Sequence, residues 1–461
     1  MNKYKSIEFS VFKNGEIQKK YSELENMAYS NKLAINDYGK VELAKLFVKN
    51  DIADTYTYAT NSKIGGRYGA TYYFYFFLVK QISGKDHAVL YKCNLGNAPT
   101  LVKDFGAGLP DQIILHKDRI IVQFENDTTG DLEWYQTTSP TGTWTAIPEL
   151  KNHSMNDWEI LNDEIYITIL TGYASTGKSN IYISRDNGIT FSLLFTQAPV
   201  QSLYVANGFL YGKSGDMYVM ENETWRLVEK NVKGSVHIVD EKLKAIDYHN
   251  IYIFNGDKFE IERTFEENKY LSFEGVSKYK TFFSIRSDAE GGLSNYSLYS
   301  YDTRGVLIKE KEFLNKDADW GIFGVFFVID TTYIITKNET NLITEIWNDY
   351  NPKYVDNGYF QTTIIDKGEI VPKQLILRHD PLLTGSTVKV YTKKDQASSW
   401  ENAIITSNTV GGIKKKYNYP AGAIHDFTEF KVELITTDTT KTPKNIKLEF
   451  LYLPIGLENA K

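Results

Sequence analysis

A repeated grammar in the middle of the chain constrains the fold more than any other feature. Residues 202–228 read S-L-Y-V-A-N-G-F-L-Y-G-K-S-G-D-M-Y-V-M-E-N-E-T-W-R-L-V, and residues 235–261 read S-V-H-I-V-D-E-K-L-K-A-I-D-Y-H-N-I-Y-I-F-N-G-D-K-F-E-I. Each passes through strand, turn, strand, turn, a Tyr-rich strand, an Asn/Gly turn and a strand opened by Trp225 or Phe259. Trp144, after Thr141-Gly142-Thr143, and Phe191 stand at the same late turn. Similar short runs extend from about Asp51 to Tyr350, bounded by Gly, Asn and Asp. They group in fours at a spacing of roughly 30–45 residues, the range of propeller blades. A four-stranded sheet with a neighbour on each side buries both faces, which accounts for aromatic and β-branched residues in both registers. The prediction is an all-β chain whose centre is a β-propeller of about seven blades, with five to eight compatible with the pattern.

The flanks differ. In residues 1–50, Ile7–Phe12 alternates into a turn at Lys13–Glu16, which reads as a hairpin. Ser22-Glu23-Leu24-Glu25, with Met27 and Ala28, reads as the start of a short helix, and Val41–Val48 fits helix and strand equally. This segment is a candidate for closing the propeller. After Asn351-Pro352 the rhythm breaks, and Tyr359–Asp366, Gln374–His379, Thr387–Lys393, Glu429–Thr436 and Asn445–Tyr452 alternate strongly. Residues 351–461 are therefore expected to form a β-sandwich of jelly-roll type. The domain reading is 1–50, 51–350 and 351–461.

The formal net charge of −6 comes with basic residues scattered along the chain, so no nucleic-acid partner is expected. The single cysteine, Cys93, excludes an intrachain disulfide and a Cys-based zinc site, and is expected to be a buried thiol. Met1 leads into polar sequence, so no signal peptide is expected. The run Tyr72–Val79 is too short to span a bilayer and reads as a buried strand, so no membrane insertion is expected.

Several patterns invite chemistry. Gly172–Ser179 matches G-x-x-x-x-G-K-[ST], but the β run Asn180–Ile183 comes next where a phosphate cradle needs a helix, so it reads as a hairpin loop. The seven histidines never fall at ligand spacing. Asp127–Asp131 and Asp288–Gly292 read as solvated turns and Lys414-Lys415-Lys416 as a loop tip. No catalytic, cofactor-binding or metal-binding residue, and no cofactor, is expected.

The stretch Ser184-Arg185-Asp186-Asn187-Gly188-Ile189-Thr190-Phe191 is similar to the Asp-box of sialidases and related propellers. The resemblance implies a hairpin closed between the third and fourth strands of a blade, with Ser184, Asp186, Gly188, Thr190 and Phe191 in structural roles. Sialidase chemistry would need an arginine triad, and of the arginines only Arg67, Arg119, Arg286 and Arg304 fall where they could approach a central funnel. None has an adjacent motif similar to that of sialidases, and the chain is expected not to be an enzyme.

The C-terminal order resembles the β-sandwich that comes after a propeller in tailed-bacteriophage tail and neck proteins of nozzle, fibre or receptor-binding type. The matching residues are Asn357-Gly358-Tyr359-Phe360-Gln361-Thr362-Thr363-Ile364-Ile365-Asp366-Lys367-Gly368, then Thr387–Tyr391, Phe430–Leu434 and Pro443–Phe450. The resemblance implies a virion structural protein assembled in the host cytoplasm. It would be a homo-oligomer partnered with other tail or neck proteins. The alternatives are a lectin-like protein binding a host-surface glycan and a sialidase-like glycoside hydrolase.

Overall fold

The computed structural model describes residues 4–9, 27–31, 33–35, 41–43, 46–50, 56–59, 66–68, 71–94, 98–170, 177–265, 270–277, 279–288, 292–303, 305–317, 320–328, 331–338, 343–349, 353–362, 364–395, 397 and 399–454. Nearly all of them lie in strands and turns. Two compact units are present: residues 48–296 with 314–350, and residues 1–47 with 297–313 and 351–461.

The first unit is the propeller. Its sheets are antiparallel and run in chain order. Sheet I takes Tyr56–Ala59 and Gly66–Tyr68 side by side along Thr71–Ile82, then Lys85–Asn94 and the leading half of the long strand Thr100–His116. The trailing half of that strand opens sheet II, completed by Arg119–Asn126, Asp131–Thr137 and Thr145–Ala146. Sheet III is Met155–Leu161, Glu164–Leu170, Ser179–Ser184 and Ser192–Ala198. Sheet IV is Ser202–Ala206, Phe209–Ser214, Asp216–Glu221 and Thr224–Glu229. Sheet V is Ser235–Val239, Lys242–Ile246, Asn250–Phe254 and Phe259–Thr264. Sheet VI runs Leu271–Val276, Lys280–Asp288, Ser294–Asp302 and Leu307–Lys316, and residues 297–313 of its last two strands are counted with the second unit. Sheet VII is Trp320–Val328, Thr331–Asn338, Ile343–Asn348 and, from the other end of the unit, Val48–Asn50.

Burial depends on position in the sheet. Second strands are mostly apolar through the middle and buried on both faces, as in Ile120–Phe124 and Ile165–Ile169, with Gln123 and Thr168 the buried polar residues. Fourth strands such as Thr224–Glu229 and Phe259–Thr264 lie outermost and stay largely open to solvent. In sheets II, IV and V an aromatic at the start of the fourth strand pins it inward. Trp144 lies 5.0 Å from Phe105, Trp225 6.2 Å from Phe195 and Phe259 5.2 Å from Phe254, between ring centres. Tyr333, Ile335 and Ile346 of sheet VII share one core with Tyr75, Phe77 and Leu90 of sheet I, so the ring is closed by packing.

The second unit is a sandwich. One layer holds Lys5–Phe9, Lys447–Pro454, the later part of Ile365–Arg378 and Lys414–Asn418. The other holds Met27–Asn31, Asn357–Thr362, His425–Thr436, Ser386–Lys394 and Ile405–Ser407. Strict alternation of buried and half-buried residues in Ser386–Lys394 marks one face in the core and one outside. Phe430 sits between Phe9 and Phe450, at 6.5 and 5.2 Å. Met27 and Ala28 belong to a strand rather than a helix, because pairing with Asn357–Thr362 outweighs their local helical preference. The turn Lys13–Glu16 and the capping residues Ser22–Glu25 lie outside the described residues. Val41–Leu43 and Val48–Asn50 resolve the ambiguous run as two short strands.

A bulge in the inner strand of sheet VI buries a carboxyl. Pairing with Lys280–Asp288 skips a residue between Phe273 and Gly275, leaving Glu274 as the extra one. Ser284 Oγ donates to Glu274 Oε1 at 2.5 Å. Burial pushes the Glu274 carboxyl up to about 8, against lowering by Ser284 and Ser272, so it is protonated at neutral pH. Folded protein therefore binds more protons than unfolded protein between about pH 4.5 and 8, and stability falls as pH rises through that window. Glu274→Gln should stabilise the protein by roughly 1–4 kcal/mol at pH 8 and by little at pH 4. Urea unfolding at both pH values checks this, and an unchanged pH slope would refute it.

Candidate functional site

In an antiparallel four-stranded sheet, the entry to strand one, the turn between strands two and three and the exit of strand four share one end. The inner strands Leu271–Val276 and Trp320–Val328 run parallel, pairing Gly275 with Val325. At their entry end, sheets V and VI enclose a cleft of about 650 Å³. Lys233, Gly234 and Ser235 come from the link into sheet V, Asp247, Tyr248 and His249 from its second turn, and Leu271, Ser272 and Phe273 from the entry to sheet VI.

The turn is built by Asp247. Its Oδ1 accepts the His249 and Asn250 N–H groups at 2.8 and 2.6 Å, an Asx arrangement that leaves Tyr248 at the tip. The Tyr252 hydroxyl donates to Asp247 Oδ2 at 2.6 Å. Burial alone would raise the Asp247 carboxyl, but Tyr252 and the two N–H groups outweigh it and hold it below the usual carboxylate range. Both oxygens are thus engaged in shaping the turn. The turn's carbonyls anchor the link into sheet VI: Tyr248 O accepts from Leu271 N–H at 3.0 Å and His249 O from Phe265 N–H at 2.8 Å. Tyr270 is thereby set beside Tyr248, with ring centres 6.2 Å apart and planes at 80°. These rings are 69% and 62% exposed, the two most exposed large hydrophobic side chains among the described residues; Tyr248 lines the cleft, and Tyr270 stands against it, next in the chain to the lining residue Leu271. His249 lies 5.5 Å from the Tyr270 ring.

Gly234 and Phe273 shape the walls. Gly234 has φ +73°, and a Cβ there would fall 2.1 Å from the Ile246 carbonyl oxygen, so only glycine lets the link lie on the second strand. Its own carbonyl accepts from Lys213 Nζ at 2.5 Å, and burial lowers that lysine's pKa. Phe273 stacks on His237 at 4.6 Å. Burial pushes His237 down to about 3, and its Nε2 lies 2.9 Å from Thr281 Oγ1, so a neutral imidazole supports the wall. The result is a rigid slot with open aromatic faces at its mouth and Lys233, Ser235 and Ser272 along its sides.

The residues singled out from sequence lie elsewhere. Ser184–Phe191 forms the turn between the third and fourth strands of sheet III, at the opposite end of its sheet. Asp186 accepts from Ile189 N–H and Thr190 N–H at 3.1 and 3.0 Å, from Thr190 Oγ1 at 2.6 Å and from Ser184 Oγ at 2.8 Å. Ser184 Oγ accepts the Gly188 N–H at 2.8 Å. Gly188 has φ +80° and lies on Ile121 of sheet II, while Phe191 enters the core shared with Trp134 and Ile114. All five residues therefore act together in one hairpin. Arg119 donates from Nη1 to Gln136 Oε1 within sheet II, and Arg286 from Nε to Ser294 Oγ at 3.0 Å within sheet VI. Each serves its own sheet. Arg304 and residues 172–176 of the P-loop lookalike lie outside the described residues, as does the side chain of Arg67.

Cys93 is fully buried, and burial pushes its thiol up to about 12. Lys151 neutralises Asp131 in the turn after Asn126, at 2.8 Å. Among the described residues no group of three or more His, Cys, Asp or Glu side chains could hold a metal, and no helix is long and apolar enough to cross a membrane. Sequence reasoning missed Tyr248, Tyr270 and Lys233. The available signal was Asp247-Tyr248-His249-Asn250 in a turn that sheet IV fills with Ser214-Gly215-Asp216.

No family model matches the chain, and no curated protein matches its sequence. Solved structures do align. The β-propeller domain of the Trilobed protease from Pyrococcus furiosus is 14% identical at a TM-score of 0.41, over 64% of this chain and 95% of that one. An exo-β-1,3-galactanase from Phanerochaete chrysosporium is 8% identical at 0.27, over 87% of this chain and all of that one. A glycoside hydrolase is 9% identical at 0.26, over 88% of this chain and 99% of that one. The expectation that the chain is not an enzyme is corrected by these alignments, which include glycoside hydrolases over most of its length. The expectation rested on a missing arginine triad, whereas glycoside hydrolysis in general needs two carboxyl groups, which leave no short motif. At these TM-scores no residue role is carried across.

Two substitutions separate the two ends of the propeller. Gly234→Ala should cost about 2–4 kcal/mol and distort the cleft. Asp186→Ala should cost roughly 1–3 kcal/mol and leave the cleft unchanged. Urea unfolding measures both costs, and tyrosine accessibility to nitration reports the cleft.

Proposed function

We propose that the propeller unit recognises a carbohydrate in the cleft between sheets V and VI. The observation that carries this reading is the exposed pair Tyr248 and Tyr270, held over a polar slot by the Asp247 turn. An aromatic face is electron-rich and apolar, and it suits the C–H face of a sugar ring, while hydroxyl and ammonium groups beside it bond the sugar's oxygens. The volume lies within the range of small-ligand sites. Rigid tyrosines also give contact area at low entropy cost.

The biological setting is also a proposal. The C-terminal resemblance supports an attachment component of a tailed-bacteriophage particle, in which the cleft contacts a host-surface glycan and copies of the chain assemble with tail or neck proteins.

Titration calorimetry of the full chain against neutral galacto-, gluco- and xylo-oligosaccharides, with reducing-end release monitored in parallel, tests the reading. At least one class should bind, and Tyr248→Ala with Tyr270→Ala should weaken it about tenfold or more. If no sugar binds, or if the double variant binds as the parent does, the cleft is not the site. Reducing-end release that disappears in the double variant would identify the cleft as hydrolytic.

A further inference from the structure

The outer face of the sandwich carries a second constellation, independent of the cleft. In the layer that holds His425–Thr436, core residues alternate with outward ones, and Lys431 points outward between Val432 and Phe430. Gln361 lies directly across from Lys431 on one side and Tyr391 on the other. The Lys431 ammonium sits 4.3 Å from the Tyr391 ring centre, 5.6 Å from Tyr359 and 5.5 Å from Trp400. Three ring faces thus hold one cation in place.

The platform is rigid. Trp400 is carried by a segment tied along Ser386–Lys394, through Glu401 N–H to Thr392 O at 3.0 Å and Ile404 N–H to Val390 O at 2.9 Å. The Tyr391 hydroxyl donates to Glu433 Oε2 at 2.7 Å, which fixes the ring. Lys393 stands 6.0 Å from the Trp400 ring, and Lys389 lies in register with Glu433. Among the described residues no carboxylate pairs with Lys389, Lys393 or Lys431. Glu429 lies in register with Lys393, so three lysines against two glutamates leave this face at +1, on a chain whose net charge is −6.

We propose that this face binds an acidic polysaccharide, with a uronate ring laid across Trp400 and Tyr359 and its carboxylate on Lys431. Charge complementarity selects an anion, because the ring-held ammonium has no internal counter-ion. The flat rings select a sugar, whose C–H face matches theirs, and Gln361 supplies an amide for a hydroxyl. A single fixed cation suits one carboxylate per sugar, whereas a nucleic-acid strand needs a basic track along its phosphates.

The test is affinity electrophoresis of the full chain in gels containing polygalacturonate, uncharged pullulan or oligo(dT). Polygalacturonate should retard the protein, added salt should weaken the effect, and pullulan should not reproduce it. Lys431→Gln and Trp400→Ala should each weaken retardation about fivefold or more, and Lys389→Gln less. Tyr248→Ala with Tyr270→Ala should leave it intact, which separates this site from the cleft. The proposal is overturned if polygalacturonate does not retard the protein, if the lysine and tryptophan variants match the parent, or if oligo(dT) retards and polygalacturonate does not. It is equally overturned if Lys431→Gln instead dissociates an oligomer in light scattering, since the face would then join copies of the chain.

Discussion

A sheet that buries both faces has to find another sheet on each side, and a row of such sheets can stop only by meeting its own beginning. That constraint governs the propeller unit. The apolar middles of Ile120–Phe124 and Ile165–Ile169 are stable only between neighbours, because exposing a run of large aliphatic side chains costs about 1.5–3 kcal/mol per residue. The ring meets itself where Tyr333, Ile335 and Ile346 pack with Tyr75, Phe77 and Leu90. Val48–Asn50 completes that junction by adding a strand from the start of the unit to Ile343–Asn348 at its end. The remaining sheets, and the cleft between two of them, inherit their position from this closure.

The closed ring also explains why local chemistry divides between two ends. Turns after first and third strands lie at one end, and they hold the hydrogen-bonded hairpin around Asp186. Links into first strands and turns after second strands lie at the other, and they hold Gly234, Tyr248 and Phe273. The same residue type serves both ends. Asp186 and Asp247 each gather backbone N–H groups and a hydroxyl, and each carboxyl is held below its ordinary range although burial alone would raise it. The difference lies in what the turn presents. Asp186 turns Phe191 inward, and Asp247 turns Tyr248 outward.

The propeller was legible because its middle sheets repeat their turns and set an aromatic at the start of the fourth strand: Trp144, Phe191, Trp225 and Phe259; the sheets at either end lack that mark, so the sequence left their number as a range. Alternation in Thr387–Lys393 and Phe430–Leu434 likewise announced a two-layer domain. Long-range pairing was not legible. Nothing local to Lys5–Phe9 indicates that it lies beside Lys447–Pro454, and Met27 and Ala28 carry a helical preference that their partner strand overrides. The cleft was equally hidden, since Lys233 and Tyr248 meet Phe273 only when two sheets stand side by side. A search for arginine motifs was directed at one chemistry, and Arg119 and Arg286 are committed to neighbours in their own sheets.

The strand Thr100–His116 belongs to two sheets at once, changing partners between Ala107 and Gly108. Sheets I and II are therefore joined by continuous backbone as well as by packing. Pulling them fully apart means stripping that strand from one of its two ladders, whereas the junction of sheets VII and I is held by side-chain packing and the short ladder of Val48–Asn50. Sheet I therefore has a seam of shared backbone on one side and a latch on the other. Under load or during unfolding, the shorter ladder of the latch is expected to give way before the shared strand is stripped from either sheet.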